Sequence, residues 1–306
     1  MMGLGHSHGD STAAYRYRGR MVAVLSIIAT ITVVQVVGAA LSGSLALLAD
    51  AGHGFTDGIG VGLALLATVI GARPPSDRRT FGLQRLEILA ALANGLVVGV
   101  VAVLILIGGV RRLLDPAAIE TGVMLAAAVV GLAGNAVGLL VLRRGQKESL
   151  NVRGAYLEVL GDTLSSMAVI AAALIIMASG WTRADALASI AIGLLILPRA
   201  FMLLRDVVHV LLEAAPKDVD LADVRRHIMA APAVVDVHDL HVWTITSGVP
   251  VVSAHVVVED AVLAEHGYGP VLDGLQRCLA GHFDIEHSTF QIEPQGHADH
   301  EYASHD

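Results

Sequence analysis

The sequence predicts a helical membrane domain of six spans, followed by a small α+β domain. Two observations carry this prediction. Hydrophobic residues make up 55% of the 306 residues and charged residues only 16%, a balance too apolar for an ordinary soluble protein. From about Val207 onward, charges and alternating patterns replace the continuous apolar runs. The first part of the chain therefore fits a bilayer, and the second part fits water.

Six apolar segments each have about the twenty residues that a helix needs to cross the hydrocarbon core. They run from Met21 to Leu41, Ser44 to Gly71, Leu86 to Val110, Gly122 to Leu142, Ala155 to Ser179 and Ala184 to Leu204. The chain also contains 32 glycines. Small residues let helix backbones approach one another in a membrane, so we expect closely packed spans.

The connections between the segments predict the orientation. Basic residues follow the second segment at Arg73, Arg78, Arg79 and Arg85, and the fourth at Arg143, Arg144, Lys147 and Arg153. The positive-inside rule places these loops, and with them both termini, in the cytoplasm. Arg111 and Arg112 follow the third segment, where the rule predicts an outside loop, so they weaken the pattern without reversing it. The compact loops fit a bacterial plasma membrane.

The second domain is predicted to have the order α-β-β-α-β, which is typical of a small open-faced sandwich. Asp220 is placed to cap the first helix, which ends before Pro232. Strands are predicted at Val234 to Thr246, Val251 to Val258 and Ser288 to Ile292, with the second helix at Pro270 to Phe283. We expect a membrane domain over residues 19–206 and the α+β domain over 207–294, between histidine-containing tails at 1–18 and 295–306.

Two of the apolar segments carry ionisable side chains at helical spacing. Asp50, His53 and Asp57 lie at i, i+3 and i+7 in the second segment, and Glu158 and Asp162 lie at i and i+4 in the fifth. Each set recurs on one helix face. Such groups are expensive in hydrocarbon and normally mark a pathway for ions or protons. We therefore predict that His53, Asp57, Glu158 and Asp162 form one cation site.

One imidazole and three carboxylates are a plausible tetrahedral ligand set for Zn²⁺. Protons would compete with the metal for the same groups, so alternating exposure of the site would exchange metal for H⁺. Asp50 is open to two interpretations, an auxiliary metal residue or a helix contact. The neutral polar residues Gln35, Asn94 and Asn135 are interpreted as packing residues.

Composition and chemistry exclude several classes of function. A net charge of −8 leaves no basic face for nucleic acid. Cys278 is the only cysteine, so one subunit can build neither an internal disulfide nor a thiolate zinc cluster. An intramembrane metallohydrolase would need a separate general base, and the chain offers none. A metal-sensing membrane receptor is a further alternative. We expect a secondary transporter and not an enzyme.

Five stretches together resemble the cation diffusion facilitator family and its zinc transporters. They are LLADAGHGFTD, RTFGLQRLEIL, AYLEVLGDTLSS, DLHVW and HSTFQIEP, and they extend over nearly the entire chain. The resemblance implies a homodimer with six transmembrane helices per subunit and a ferredoxin-like, metallochaperone-like cytoplasmic domain. It also implies export of Zn²⁺ or related ions by H⁺ antiport.

The resemblance is incomplete at Glu158, where zinc-exporting members of the family usually have histidine. A carboxylate makes the site harder and more negative, which favours tolerance of Mn²⁺, Fe²⁺, Co²⁺ or Cd²⁺. Zn²⁺ remains the first expectation. Gln84 stands where many zinc members have a further histidine.

The resemblance also implies a regulatory metal site in the second domain, formed by His238, His255, His287 and Glu293, with His241 as an alternative ligand. In a regular strand His238 and His241, three residues apart, would lie on opposite faces. The other interpretation is that these are hydrogen-bonded sheet or interface residues. Histidines of the two tails, His6, His8, His297, His300 and His305, either collect metal or are simply solvated.

Overall fold

The computed structural model describes residues 9–143, 150–285 and 287–297, with side chains from residue 26 onward except at 150–152. Its elements in chain order are α1 Gly9–Ser42, α2 Leu45–Gly71, α3 Leu86–Leu114, α4 Thr121–Leu142, α5 Leu150–Ser179, α6 Arg183–Leu211, α7 Leu221–Met229, β1 Val234–Thr244, β2 Pro250–Val258, α8 Asp260–His266, α9 Gly269–Phe283 and β3 His287–Pro294. The chain forms two compact units, one of Met1–Leu65 with Ala91–Leu204 and one of Leu66–Ala90 with Arg205–Asp306.

The six predicted apolar segments correspond to α1 to α6. Within the described residues, five helices, α2 to α6, are long and apolar enough to cross a membrane. The described part of α1 contributes a shorter apolar stretch, Ser26–Ser42. Large apolar side chains on these helices point outward, such as Leu65, Leu104 and Leu140, each more than 60% exposed. A surface of this kind fits lipid and not water.

Small residues bring the membrane helices close together, as the glycine content predicts. Helix α4 packs against both α1 and α5. A Cβ atom at Gly134 of α4 would lie 2.5 Å from Cδ1 of Ile31 on α1, and one at Gly38 of α1 would lie 2.5 Å from Cβ of Ala127 on α4. Both distances are shorter than any real contact, so these two backbones can approach only where glycine stands.

A fully buried carboxylate explains why Arg112 departs from the positive-inside pattern. Asp185, at the start of α6, accepts hydrogen bonds from Ser44 Oγ at 2.5 Å and from the backbone N–H of Leu45 at 2.9 Å, at the start of α2. Arg112 lies 3.2 Å from the same carboxylate and donates to the carbonyl oxygen of Gly43. The charge of Arg112 is therefore paired inside the protein and does not report orientation.

The α+β domain contains the predicted elements and one additional helix. Asp220 caps α7 by accepting a hydrogen bond from the backbone N–H of Ala222. The sheet has the order β1-β2-β3, with β1 antiparallel to β2 and β2 parallel to β3. Apolar residues of α7, α9 and one sheet face form the core. The additional helix, α8, has only seven residues and none of them is buried, so it carries no periodic apolar signal.

The expectation that His238 and His241 lie on opposite faces is wrong. His238 pairs with His255 and His241 pairs with Ser253, with a register shift between them. Their partners on β2 are two residues apart, so one extra residue is inserted on β1, and Asp239 there has a φ of +46°. Such a bulge shifts the alternation by one position. Both histidines therefore lie on the sheet face that α7 and α9 leave uncovered.

Candidate metal centres

Three ionisable side chains of the predicted cation site converge in the membrane domain. His53 and Asp57 stand one turn apart on α2, and Asp162 stands on α5. His53 Nδ1 lies 3.5 Å from Asp57 Oδ1, and His53 Nε2 lies 3.6 Å from Asp162 Oδ1. One ligand atom from each residue falls within 4.8 Å of the others. We call these three residues the membrane group.

The separation between His53 and Asp162 suits a divalent ion. Ligand bonds of about 2.0 to 2.2 Å in a tetrahedral site place neighbouring donor atoms about 3.3 to 3.6 Å apart, and His53 Nε2 and Asp162 Oδ1 are 3.6 Å apart. Asp57 Oδ1 lies nearest the other ring nitrogen, and its group falls within the wider 4.8 Å limit. Three buried atoms of the group, His53 Nδ1, Asp57 Oδ2 and Asp162 Oδ1, have no hydrogen-bond partner among the described residues. Buried polar atoms are normally satisfied, so unsatisfied ligand atoms on three neighbouring side chains indicate a place where an ion or proton binds. The donor set therefore fits a metal ion.

Glu158 lies beside the membrane group and not within it. It lines a cavity of about 200 Å³ together with His53, Asp57, Asn94 and Arg199. The structure therefore brings all four predicted residues to the same place, with three of them close enough to share one ion and Glu158 at the wall of the cavity. Asn94, interpreted from the sequence as a packing residue, also faces this cavity.

Arg199 is a member of the site that the sequence-based prediction missed. It stands on α6, and its Nη1 lies 3.5 Å from His53 Nε2. The signal was present in the sequence, because Arg199 is a charged residue inside the sixth apolar segment. The prediction rests on carboxylates and imidazoles that recur at helical spacing, and Arg199 belongs to no such set.

Asp50 lies one turn from His53 but has partners of its own. Its Oδ2 accepts hydrogen bonds from Gln35 Nε2 at 2.6 Å and from Ser166 Oγ at 2.9 Å. Asp50 is 4% exposed and lies outside the membrane group. The carboxylate therefore links α1, α2 and α5 beside the group.

A second set of ligand atoms converges on the uncovered face of the sheet. His255 Nδ1 lies 2.9 Å from Glu293 Oε1, and His238 Nε2 lies 3.5 Å from Glu293 Oε2. The two imidazole rings meet edge to face with their centroids 5.1 Å apart. Gln291 Nε2 also donates to Glu293 Oε1. We call His238, His255 and Glu293 the sheet group.

The other predicted residues of this domain lie elsewhere. His287 pairs with Val251, and its ring centroid lies 6.4 Å from that of Phe81. His287 stands four positions before Gln291, the partner of His255, on the same strand. His241 lines a separate cavity of about 980 Å³. Of the tail histidines, His297 is exposed, and His6, His8, His300 and His305 lie outside the described residues.

Comparison with known proteins places both domains in one family. The pattern of the cation efflux transmembrane domain matches residues 21–212, and the pattern of the cation efflux protein cytoplasmic domain matches residues 216–295. The matched ranges include every residue of the membrane group and of the sheet group.

Full-length relatives agree with these matches. The metal cation efflux system protein CzcD of Cupriavidus metallidurans is 44% identical over 292 residues, which cover 95% of this chain and 90% of that protein. The zinc transporter ZitB of Escherichia coli is 42% identical over 297 residues, covering 95% and 93%. A protein of Bacillus subtilis named cadmium, cobalt and zinc/H⁺-K⁺ antiporter is 34% identical over 298 residues, covering 96% and 93%.

These matches confirm the predicted fold class, a helical membrane domain followed by a small α+β domain. They also decide between the functional classes considered from the sequence, because the matched family consists of cation transporters and not of hydrolases or receptors. The chain belongs to the cation efflux family, the cation diffusion facilitators, and is an integral membrane transporter that exports divalent metal cations.

Proposed function

We propose that the chain exports Zn²⁺ from the cytoplasm in exchange for protons, with His53, Asp57, Glu158 and Asp162 as the transport site. The observation that carries the proposal is the meeting of α2 and α5 at the membrane group, where three ligand atoms lie within 4.8 Å of one another. Two separate helices supply the ligands, so a small relative movement of the helices opens or closes the site. Alternating access requires this property.

Proton exchange follows from the composition of the site. Carboxylates gathered in an apolar space repel one another when the metal leaves, and protons then bind in its place. The name of the Bacillus subtilis relative, an antiporter with H⁺, supports the same counter-ion. Asp50, fixed by its hydrogen bonds one turn from His53, is proposed as an auxiliary carboxylate beside the site.

Cd²⁺ and Co²⁺ are the second candidate substrates. The names of two relatives specify zinc, alone or with cadmium and cobalt, which supports zinc as the first candidate. Glu158 in place of a histidine supplies oxygen where zinc transporters would have nitrogen, which widens the range of acceptable ions.

The sheet group is proposed as a second, regulatory metal site in a cytoplasmic domain that spans residues 207–294. His287 and His241 lie apart from the sheet group. We propose them as additional ligands that join the site when this domain or a partner subunit moves. We further propose a homodimer in a bacterial plasma membrane, with the membrane domain at 19–206 and both tails, 1–18 and 295–306, in the cytoplasm.

Flux measurements in reconstituted vesicles test the proposed function. Purified chain in proteoliposomes with an imposed pH gradient is offered Zn²⁺, Cd²⁺, Co²⁺ and Mn²⁺, with one dye for metal and one for pH. We expect Zn²⁺ to enter fastest and to collapse the pH gradient in proportion. Metal entry without proton movement would contradict the antiport, and no entry of any ion would contradict the substrate assignment.

A further inference from the structure

The transport cavity contains one permanent positive charge, the guanidinium of Arg199. An arginine side chain remains protonated at any physiological pH. Its Nη1 lies 3.5 Å from His53 Nε2, the same ring nitrogen that faces Asp162 Oδ1 at 3.6 Å. An ion bound between that nitrogen and Asp162 would therefore lie next to the guanidinium.

The guanidinium also lies close to the helix that carries Asp162. A Cβ atom at Gly161 of α5 would lie 3.4 Å from Arg199 Nη1 and 3.5 Å from its Nη2. With no side chain at Gly161, the guanidinium lies against the backbone of α5, one residue before the ligand Asp162. Arg199 thus contacts both helices that supply the membrane group.

Among the four predicted ligands and Arg199, the charges balance those of a divalent ion only if Arg199 is counted. Asp57, Glu158 and Asp162 carry three negative charges when ionised, and the positive charge of Arg199 leaves a net charge of −2 with His53 neutral. Asp50 is left out of this count because it lies outside the membrane group, hydrogen-bonded to Gln35 and Ser166. A bound divalent ion would make the site neutral. An uncompensated charge in a membrane interior costs free energy. A neutral loaded site therefore lowers the free-energy cost of moving the helices around the ion.

We propose that Arg199 is the charge-balancing residue of the transport site, which offsets Glu158 and weakens the hold on the ion enough for its release. The proposal rests on the proposed function, because it assigns Arg199 a part in transport at the same site. Beside His53 the guanidinium lowers the attraction of the site for a cation, and in the loaded state its positive charge completes the neutrality of the site. Without it the site binds metal more tightly and turns over more slowly.

Binding and flux measurements on the full chain test this assignment. Zn²⁺ affinity is measured by calorimetry on detergent-purified protein, and flux is measured in proteoliposomes, at one fixed pH. We expect Arg199→Gln to lower the Kd about tenfold or more and to lower both KM and kcat, because a net charge of −3 holds the cation harder. Arg199→Lys keeps the charge and is expected to stay within about threefold of the wild-type Kd.

A charge-matched double variant separates charge balance from simple packing. Glu158→Gln alone is expected to raise the Kd, and Glu158→Gln with Arg199→Gln restores a net charge of −2 and is expected to return the Kd to within about threefold of wild type. Arg205→Gln, which removes an exposed arginine six residues along the same helix, serves as the control and should change neither quantity.

The outcomes are distinguishable from failure of the proposed function. If the wild type neither binds nor transports Zn²⁺, the proposed function itself is wrong. If the wild type transports Zn²⁺ but Arg199→Gln binds it equally or more weakly, the role of Arg199 is overturned. If Arg199→Gln does not fold, Arg199→Lys provides the test instead. Because this variant keeps the positive charge, a change of more than about tenfold in its Kd overturns the proposal.

Discussion

The membrane group and the sheet group use the same kinds of ligand in two different settings. Each combines histidine with carboxylate, and each brings three ligand atoms within 4.8 Å of one another. The sheet group lies on three hydrogen-bonded strands, and Glu293 already accepts a hydrogen bond from Gln291. The membrane group lies on two separate helices. Three of its buried polar atoms have no hydrogen-bond partner among the described residues, and in the sheet group the same holds for Glu293 Oε2.

The comparison teaches how the setting of a site determines its use. Strands in one sheet hold their side chains at fixed separations, so the sheet group is suited to hold an ion or to report its presence. Helices in a membrane can shift past one another, so the membrane group is suited to gain and lose an ion. Arg199 adds a positive charge beside His53 of the membrane group.

Removal of one carboxylate from the membrane group should have the largest effect. Asp162→Asn keeps the size of the side chain but removes the negative charge that α5 contributes to the membrane group. We expect Zn²⁺ flux in proteoliposomes to fall at least about a hundredfold, beyond the 10–100-fold typical of residues that only support a ligand. Glu265→Gln, at a highly exposed carboxylate of the other domain, is the matched control. Flux that survives Asp162→Asn would remove the distinction drawn between the two groups.

Substitution of Glu158 should change selectivity more than rate. Glu158→His replaces oxygen by nitrogen at the cavity wall and favours Zn²⁺ over the harder ions. The expected result is a shift of about tenfold in the ratio of Zn²⁺ to Mn²⁺ or Co²⁺ flux, which corresponds to about 1.4 kcal/mol. An unchanged ratio across the metal panel would show that Glu158 is not a selectivity ligand.

Removal of the carboxylate from the sheet group should affect regulation only. Glu293→Gln removes the carboxylate that His238 and His255 share, so we expect one fewer Zn²⁺ bound per chain by equilibrium dialysis. Flux should fall by about two- to fivefold, because a regulatory ion shifts the population of a competent state and does not carry the substrate. Complete loss of flux in folded Glu293→Gln would instead make the sheet group part of the pathway.

The smallest effect is expected at Cys278, which belongs to neither group. Burial raises the pKa of the Cys278 thiol, so the thiol is neutral at pH 7 and becomes reactive only as the pH rises. Cys278→Ser should leave Zn²⁺ binding and flux unchanged and should shift stability by no more than about 0.5 kcal/mol. Alkylation of the wild type should accelerate with pH, and protection by Zn²⁺ would reveal a thiolate ligand that neither group includes.

The sequence was sufficient to predict the membrane group because the relevant signal is local. Ionisable residues at helical spacing in an apolar segment must share a face, and similar depth on two helices suggests that the faces meet. Asp57 and Asp162 could be identified in this way. Arg199 carries the same kind of signal, but an isolated charge does not by itself indicate which helix it faces.

The sheet group was less predictable because it depends on register. Alternation in a regular strand separates His238 from His241, and only the bulge at Asp239 puts both on one face. The distance between His287 and the other ligands follows from the pairing of β3 with β2, which no local pattern determines. The role of Asp185 was hidden for the same reason, since its partners stand about 70 and 140 residues earlier in the chain.

The most direct test of the account is to locate the transported ion. Crystals of the full chain loaded with Zn²⁺ and measured at the zinc absorption edge should show an anomalous peak at the membrane group. We expect the peak about 2.0 to 2.2 Å from one ring nitrogen of His53 and from carboxylate oxygens of Asp57 and Asp162. Zinc bound at the sheet group or elsewhere, with no peak between α2 and α5 under any loading condition, would contradict the account.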